Sequence, residues 1–333
     1  MRDEASHGGQ GLSLAAIGGG SGLAVLLRGL KHQFDGRPDQ LTAVVTVSDD
    51  GGSSGRLRRE LGVLPPGDIR NCIVALADDE DLLARLFQYR FPGGNGLSGH
   101  SFGNLFLTAL TGVTGDFYQA ILTAESILSV RGRILPATLQ DVRLRAAGQS
   151  GRVYEGESAV GRSGERLKDL ALAPDSAPAF PPAVDALERA DLILLGPGSL
   201  YTSVLPNLLI TGIRRAVRRS GAKVVKILNL MTQPGETGGM SALDHLLALE
   251  SHAGGRLVDY VLVSSTRPSE RLLRRYSESG SQWIDPDRGS LEAHGVEVLE
   301  RDLLLDNQEL VRHDPMKLGR AVMDLACGLR GEG

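Results

Sequence analysis

Cysteine is almost missing from this chain: Cys72 and Cys327 are the only two, far apart and without CxxC spacing. That excludes a disulfide framework and a thiolate metal centre and fits a reducing compartment, which leaves both as small core residues. No apolar run approaches the ~20 residues that a membrane-spanning helix needs. The polar start MRDEASHGGQG has no signal-peptide core, so the expectation is a cytoplasmic protein without a membrane span. A surplus of one charge is missing too. The formal net charge is −4 and the isoelectric point about 6.0, and nothing in that total argues for nucleic acid or an anionic membrane surface.

What the chain has in quantity is glycine, 43 of 333 residues, beside ordinary fractions of hydrophobic (41%) and charged (23%) side chains. That composition describes a globular chain with many tight turns, long enough for one large or two fused α/β domains. Strand-like and helix-like segments alternate. LSLAAIGG (12–19), LTAVVTVSDD (41–50), ADLILLGPGS (190–199), KVVKILNL (223–230), DYVLVSS (259–265) and HGVEVLERDLL near the end read as strands. Segments 21–33, 68–91, 101–128, 212–220, 241–250 and the closing DPMKLGRAVMDLACGL read as helices. The expected fold is a three-layer α/β/α, Rossmann-like domain over 12–330 with a mostly parallel sheet. A flexible tail over 1–11 would precede it, and a small β-rich insertion would occupy about 130–182, where short strands precede the proline-rich APDSAPAFPPA.

A first strand, a helix and a second strand make a βαβ unit, which places both strand C-termini on one edge of the sheet. At that edge stands GGGSG (18–22). Gly18, Gly19 and Gly20 free the backbone for close approach, and the N–H groups of Ser21 and Gly22 at a helix start can hold a phosphate; close packing is the plainer alternative. The spacing departs from GxGxxG and no isolated acid closes the second strand, which weakens a nicotinamide-cofactor reading.

The second strand ends in VSDDGGSSGRLRRELGVLPPGDIRN (47–71). Asp49 and Asp50, followed by Gly51, could bind Mg²⁺ through oxygen, accept hydroxyl hydrogen bonds or act as a base; a solvated Asp-Gly turn is the alternative. Arg56, Arg58, Arg59 and Arg70, with Asp68 and Asn71, suit a polyanionic ligand, though some of these arginines would simply pair with Glu60 or Asp68. LSGHSFGN (97–104) puts His100 and Asn104 at a helix start that Ser101 alone could cap. GPGSLYTSVLPN (196–207) repeats the logic of the first glycine turn. Gly196, Gly198 and Ser199 stand at a strand end, and Tyr201, Thr202, Ser203 and Asn207 are near enough for phosphate or sugar hydroxyls. In NLMTQPGET (229–237) Asn229 and Gln233 either read a base or sugar amide or serve an ordinary turn.

The blocks AIGGGSGLAVLLRGLK, VVTVSDDGGSSGRLRRELGVLPPGDIRNCIVALAD, LSGHSFGNLFLTALT, GRILPAT, GPGSLYTSVLPNLL and NLMTQPGET closely resemble the bacterial YvcK-like gluconeogenesis-factor family, within the wider CofD-like group named for 2-phospho-L-lactate transferase. The resemblance runs from about Leu12 to the closing helix. It implies a Rossmann-like fold that binds nucleotide-diphosphate sugars, UDP-N-acetylglucosamine foremost, with a role in gluconeogenic growth and cell-envelope morphogenesis and no established reaction. At the matching positions it implies Tyr276 and Arg312 as nucleotide-sugar contacts, one ring platform and one cationic fork. Where some relatives carry a phosphorylatable threonine after RHD, this chain has Pro315, so regulation at that site does not carry over.

The alternative is a transferase like CofD, which moves a phospholactyl group from a guanylylated donor to a deazaflavin precursor. Asp49 and Asp50 would then be catalytic, with Mg²⁺. Aromatic residues make up only 4% of the chain, little with which to stack a tricyclic acceptor. A purely structural protein is the weakest reading, because polar loops along one sheet edge call for a ligand. A homo-oligomer and a protein partner that senses the bound state complete the expectation.

Overall fold

The structure, a computed structural model, describes residues 11–34, 40–78, 80–305 and 309–331; the expected tail over 1–11 lies almost wholly outside them. Ten strands run in chain order: β1 (Leu14–Gly18), β2 (Leu41–Val45), β3 (Arg133–Pro136), β4 (Arg143–Gly148), β5 (Val153–Glu155), β6 (Leu167–Ala173), β7 (Leu192–Leu195), β8 (Lys223–Ile227), β9 (Tyr260–Ser264) and β10 (Glu297–Arg301). Seven of them form one sheet in the order β10-β9-β8-β7-β1-β2-β3, and each neighbouring pair is parallel.

The continuous apolar runs follow from that arrangement. Every residue of β1, β2 and β7 is buried, as strands covered on both faces require. Alternate side chains feed two cores. Leu14, Ala16, Ala43, Val45, Leu192 and Leu194 pack under the helices Gly20–Leu30, Gly67–Leu76 and Pro315–Gly331. Ala15, Ile17, Val44, Ile193 and Leu195 pack under Pro181–Glu188, Thr211–Arg219 and Ala242–Ala253.

The second sheet, β5-β4-β6, is antiparallel, and its inward residues Leu144, Ala146, Leu170 and Leu172 join the second of those cores. Its strands span 143–173, less than the stretch expected for the insertion: β3 lies inside that stretch yet pairs with β2 in the main sheet. Other boundaries differ for local reasons. The helix expected over 101–128 is two, because Gly115 turns left-handed (φ 74°) and the Asp116 carboxylate accepts the Gln119 N–H at 2.8 Å to start a new one. The segment 68–91 divides likewise into Gly67–Leu76 and Glu80–Gln88. Residues Gly52–Leu61, to which the sequence reading gave no element, are helical, held by burial of Leu57 and Arg58. Cys72 is in the core as expected, whereas Cys327 is exposed on the last helix.

Candidate functional site

In this sheet β1 leads outward through β2 to β3, whereas β7, on its other side, leads through β8 and β9 to β10. Strand order reverses between β1 and β7, the point where open parallel sheets leave a crevice at their carboxyl ends. Both glycine turns open into it. After β1, Gly19 stands before the helix Gly20–Leu30, whose N-terminus carries no side-chain cap. Gly20 has φ +61°, a conformation that favours glycine. After β7, Gly196 to Ser199 lead into a π-helical turn, Leu200–Val204. The two turns press together: a Cβ on Gly22 would lie 2.5 Å from the Pro197 carbonyl oxygen and 2.6 Å from Gly198 Cα.

A cavity of about 380 Å³ lies over these turns, lined by Gly19 to Gly22, Pro197 to Ser199, Asn229, Gln233, Tyr276 and Arg312. That volume suits a small ligand, and the uncapped start of the helix Gly20–Leu30, which lines it, suits an anion. Asn229 fixes the second turn, donating from Nδ2 to the Gly198 carbonyl at 2.8 Å and accepting the Gly198 N–H at 3.4 Å. Tyr276, on the helix Glu270–Glu278, accepts the Val311 N–H on its hydroxyl at 3.1 Å, so Tyr276 and exposed Arg312 share one rim although far apart in sequence. Gln233 keeps a buried Oε1 with no hydrogen-bond partner.

Two further buried residues stand near the turns, Lys226 under Gly196 and His313 in the cavity lining, and neither was singled out from the sequence. Lys226 interrupts the apolar strand β8; it is buried, its Nζ 3.5 Å from the Leu195 carbonyl and 3.0 Å from where a Gly196 Cβ would stand. Burial pushes its pKa down from 10.5 to about 7. His313 lines the cavity with Nε2 unpartnered. Burial lowers its pKa to about 4, with Lys226 adding to the effect against a backbone hydrogen bond at Leu228, so it is neutral at pH 7. The signal in the sequence was a lone lysine inside KVVKIL.

Beside the cleft lies an acidic basin. Asp68, in the first turn of the helix Gly67–Leu76, has its pKa raised to about 7 by burial and by Asp49, opposed by the Gly20 N–H and Arg70. Glu157, from the insertion, is pushed well up by burial, with Asp68, Asp49, Asp50 and Glu236 adding to it; Ser48 donates to it at 3.5 Å. Glu236 is raised by burial against hydrogen bonds from Ser199, Thr202 and Tyr201. Asp49 and Asp50 diverge, Asp49 accepting the Gly51 N–H at 2.8 Å and Asp50 the Ser158 N–H at 2.9 Å. Crowded carboxyls of this kind hold protons near neutral pH and can exchange them with a ligand. Among the described residues no group of three or more His, Cys, Asp or Glu side chains is placed to hold a metal ion.

The other candidates lie away from the cleft. Arg70 donates to Ser101 Oγ at 2.6 Å, Asn104 Oδ1 at 3.0 Å and Asn71 Oδ1 at 2.8 Å, while Asn104 Nδ2 donates to Ser54 Oγ at 3.2 Å and His100 Nδ1 lies 3.0 Å from Ser53 Oγ. This buried network ties three helices together, with Ser101 capping the helix Phe102–Thr114; a ring and a guanidinium so engaged shape the basin wall. Arg56 stands beside the Gly99 backbone, outside the cleft. Tyr201 is a core residue, its ring centroid 6.0 Å from that of His252. Asn207 is fully buried and donates to the Gly18 and Ser203 carbonyls at 3.2 and 2.8 Å, supporting the first turn from below. Gly18 and Gly196 are buried beneath the turns they begin, and the Ser199 hydroxyl, at the cleft edge, is bonded to Glu236.

The family described as 2-phospho-L-lactate transferase CofD matches residues 14–304 of this chain. The Bacillus subtilis protein named gluconeogenesis factor is 47% identical over 317 residues, 95% of this chain and 99% of its own. A protein of the same name from Halalkalibacterium halodurans is 44% identical over 312 residues, 94% and 96% of the two chains. The crystal structure of a UPF0052-family protein from Bacillus halodurans is similar with a TM-score of 0.89 and 43% identity, over 95% of this chain and 100% of that one. With a family match across most of its length and relatives aligned nearly end to end, this chain belongs to the CofD family.

Proposed function

We propose that the cleft binds a nucleoside-diphosphate sugar, UDP-N-acetylglucosamine foremost, and that the protein is a regulatory receptor for it, linked to gluconeogenic growth and to envelope morphogenesis. The observation that carries this reading is the meeting of two glycine turns at one cavity that Tyr276 and Arg312 also line. The diphosphate lies over the N–H groups of Ser21 and Gly22, with buried Lys226 beneath. The unpartnered Gln233 Oε1 accepts an N–H from the uracil or the acetamido group, and Tyr276 and Arg312 contact the uridine or the sugar. The name carried by the relatives supports the metabolic link.

Alanine at Arg312 tests this placement: loss of a charge-assisted contact weakens UDP-N-acetylglucosamine binding by about 1.5–3 kcal/mol, and Tyr276→Ala weakens it as well. Unchanged affinity in both variants removes that rim from the site.

A transferase is the second reading, favoured by the acidic basin against Gly19 and Gly20. A carboxyl near pKa 7 such as Asp68 can take a proton from an attacking hydroxyl. Release of a nucleotide product on incubating the protein with a nucleotide-diphosphate donor, Mg²⁺ and a hydroxylated acceptor would establish it.

A further inference from the structure

Two of the arginines that suit a polyanion in the sequence lead to a separate cavity. Arg58 and Arg59, on the helix Gly52–Leu61, join Arg143 and Arg145 of β4 around a space of about 210 Å³, with Asp50 and Glu155 completing its wall. Arg143 and Arg145 are two residues apart on a strand whose alternate residues Leu144 and Ala146 are buried, so the pleat puts both guanidinium groups on the outward face. Four cations thus surround a cavity that contains two carboxylates. Those carboxylates are partly engaged: Asp50 accepts the Ser158 N–H at 2.9 Å, and Glu155 lies 3.7 Å from Arg145.

Arg58 is the telling member. Its side chain is only 4% exposed. One nitrogen, Nη2, is satisfied by the Asp141 carboxylate at 2.5 Å and the Val142 carbonyl at 2.6 Å, whereas Nε and Nη1 are buried without any partner among the described residues. Buried N–H groups of a charged side chain carry a large penalty when left unpaired. An anion in the adjoining space offsets it, and guanidinium forks match phosphate oxygens in pairs. At about 210 Å³ against about 380 Å³ for the cleft, the space suits a smaller ligand than the cleft does, such as a phosphate bearing a short polyol chain.

We propose that this cavity is a second ligand site, distinct from the cleft, for a small hydroxylated phosphomonoester, whose phosphate sits among Arg58, Arg143 and Arg145 while Asp50 and Glu155 accept its hydroxyls. The test is calorimetric titration of the full chain with glycerol 3-phosphate and with inorganic phosphate at fixed ionic strength. Wild-type protein and the Arg312→Ala variant bind glycerol 3-phosphate saturably with the same affinity. In the double variant Arg143→Gln, Arg145→Gln binding weakens by about tenfold or more, the loss of two charge-assisted contacts. Both positions are exposed, and an unchanged melting curve without ligand verifies that the variant folds. Arg143→Lys, Arg145→Lys keeps the charge and recovers part of the affinity. Equal affinity for the two probes assigns the site to free phosphate, a third result that overturns the ester while keeping the anion. Absence of saturable binding, or loss of binding in Arg312→Ala with none in the double variant, overturns the site itself.

Discussion

Adding one methyl group at Gly22 strikes the join between the two glycine turns. The new Cβ would lie 2.5 Å from the Pro197 carbonyl oxygen and 2.6 Å from Gly198 Cα, both backbone atoms with no side-chain torsion to relieve the clash. Reaching an ordinary ~3.5 Å contact needs a shift of roughly 1 Å. Overpacking of this sort costs about 1–3 kcal/mol, against which alanine recovers up to about 1 kcal/mol of helix propensity. Gly22→Ala is therefore destabilised by about 0–3 kcal/mol, read as a lower urea midpoint. Binding suffers as well, because the turn carrying Gly198 moves away from the N-terminus carrying Ser21. Affinity for UDP-N-acetylglucosamine falls tenfold or more, about 1.4 kcal/mol. Gly112→Ala is the control: it lies inside the helix Phe102–Thr114 with nothing within 4 Å of its Cβ position, so it gains about 0.5–1 kcal/mol of stability and binds normally. A Gly22→Ala protein with wild-type stability and affinity would refute the contact between the turns.

The remaining predictions concern Lys226, the second turn and the basin. Lys226 has a folded pKa near 7 against an ordinary 10.5, so the unfolded chain binds more protons between those values and stability rises with pH across that window. The full gap corresponds to roughly 4–5 kcal/mol; urea titrations at pH 6 and pH 10 show Lys226→Met more stable than wild type at the lower pH, with the advantage shrinking at the higher. Asn229→Ala releases both bonds to Gly198 and lowers ligand affinity by about 1–2 kcal/mol in calorimetry, with no change expected in the binding of glycerol 3-phosphate. EDTA leaves UDP-sugar affinity unchanged if Asp49 and Asp50 act only as hydrogen-bond acceptors, and reduces it if they hold a cation.

The sheet was legible because its strands are unbroken apolar runs closed by glycine, and a parallel βαβ unit leaves its strand ends on one edge. That put the loops holding Gly19 to Gly22, Gly198, Asn229 and Gln233 along one sheet edge, and these residues line one cavity in the structure. The helix Gly52–Leu61 was illegible for the opposite reason. Its Gly and Ser residues disfavour a helix locally, and burial of Leu57 and Arg58 against the rest of the fold overrides that preference. Long-range partnerships were hidden as well. The Tyr276 hydroxyl meets the Val311 N–H across 35 residues, and Glu157 enters the basin from the insertion; only family resemblance pointed to the first, and no local pattern to the second. Arg70, His100 and Asn104 carry the residue types of a ligand site, but most of the polar atoms they present are engaged with one another and with serines, Arg70 Nε excepted. Composition cannot tell a network that binds itself from one that waits for a ligand.

The central claim is met most directly by calorimetric titration of the purified protein with UDP-N-acetylglucosamine, with GDP and NAD as parallel ligands, each with and without Mg²⁺. Saturable binding that prefers the UDP-sugar, indifferent to Mg²⁺ and with no product on standing, is the result a regulatory nucleotide-sugar receptor gives. A preference for GDP that depends on Mg²⁺, or conversion of the ligand during the experiment, would contradict it and direct attention to the acidic basin as a transferase centre.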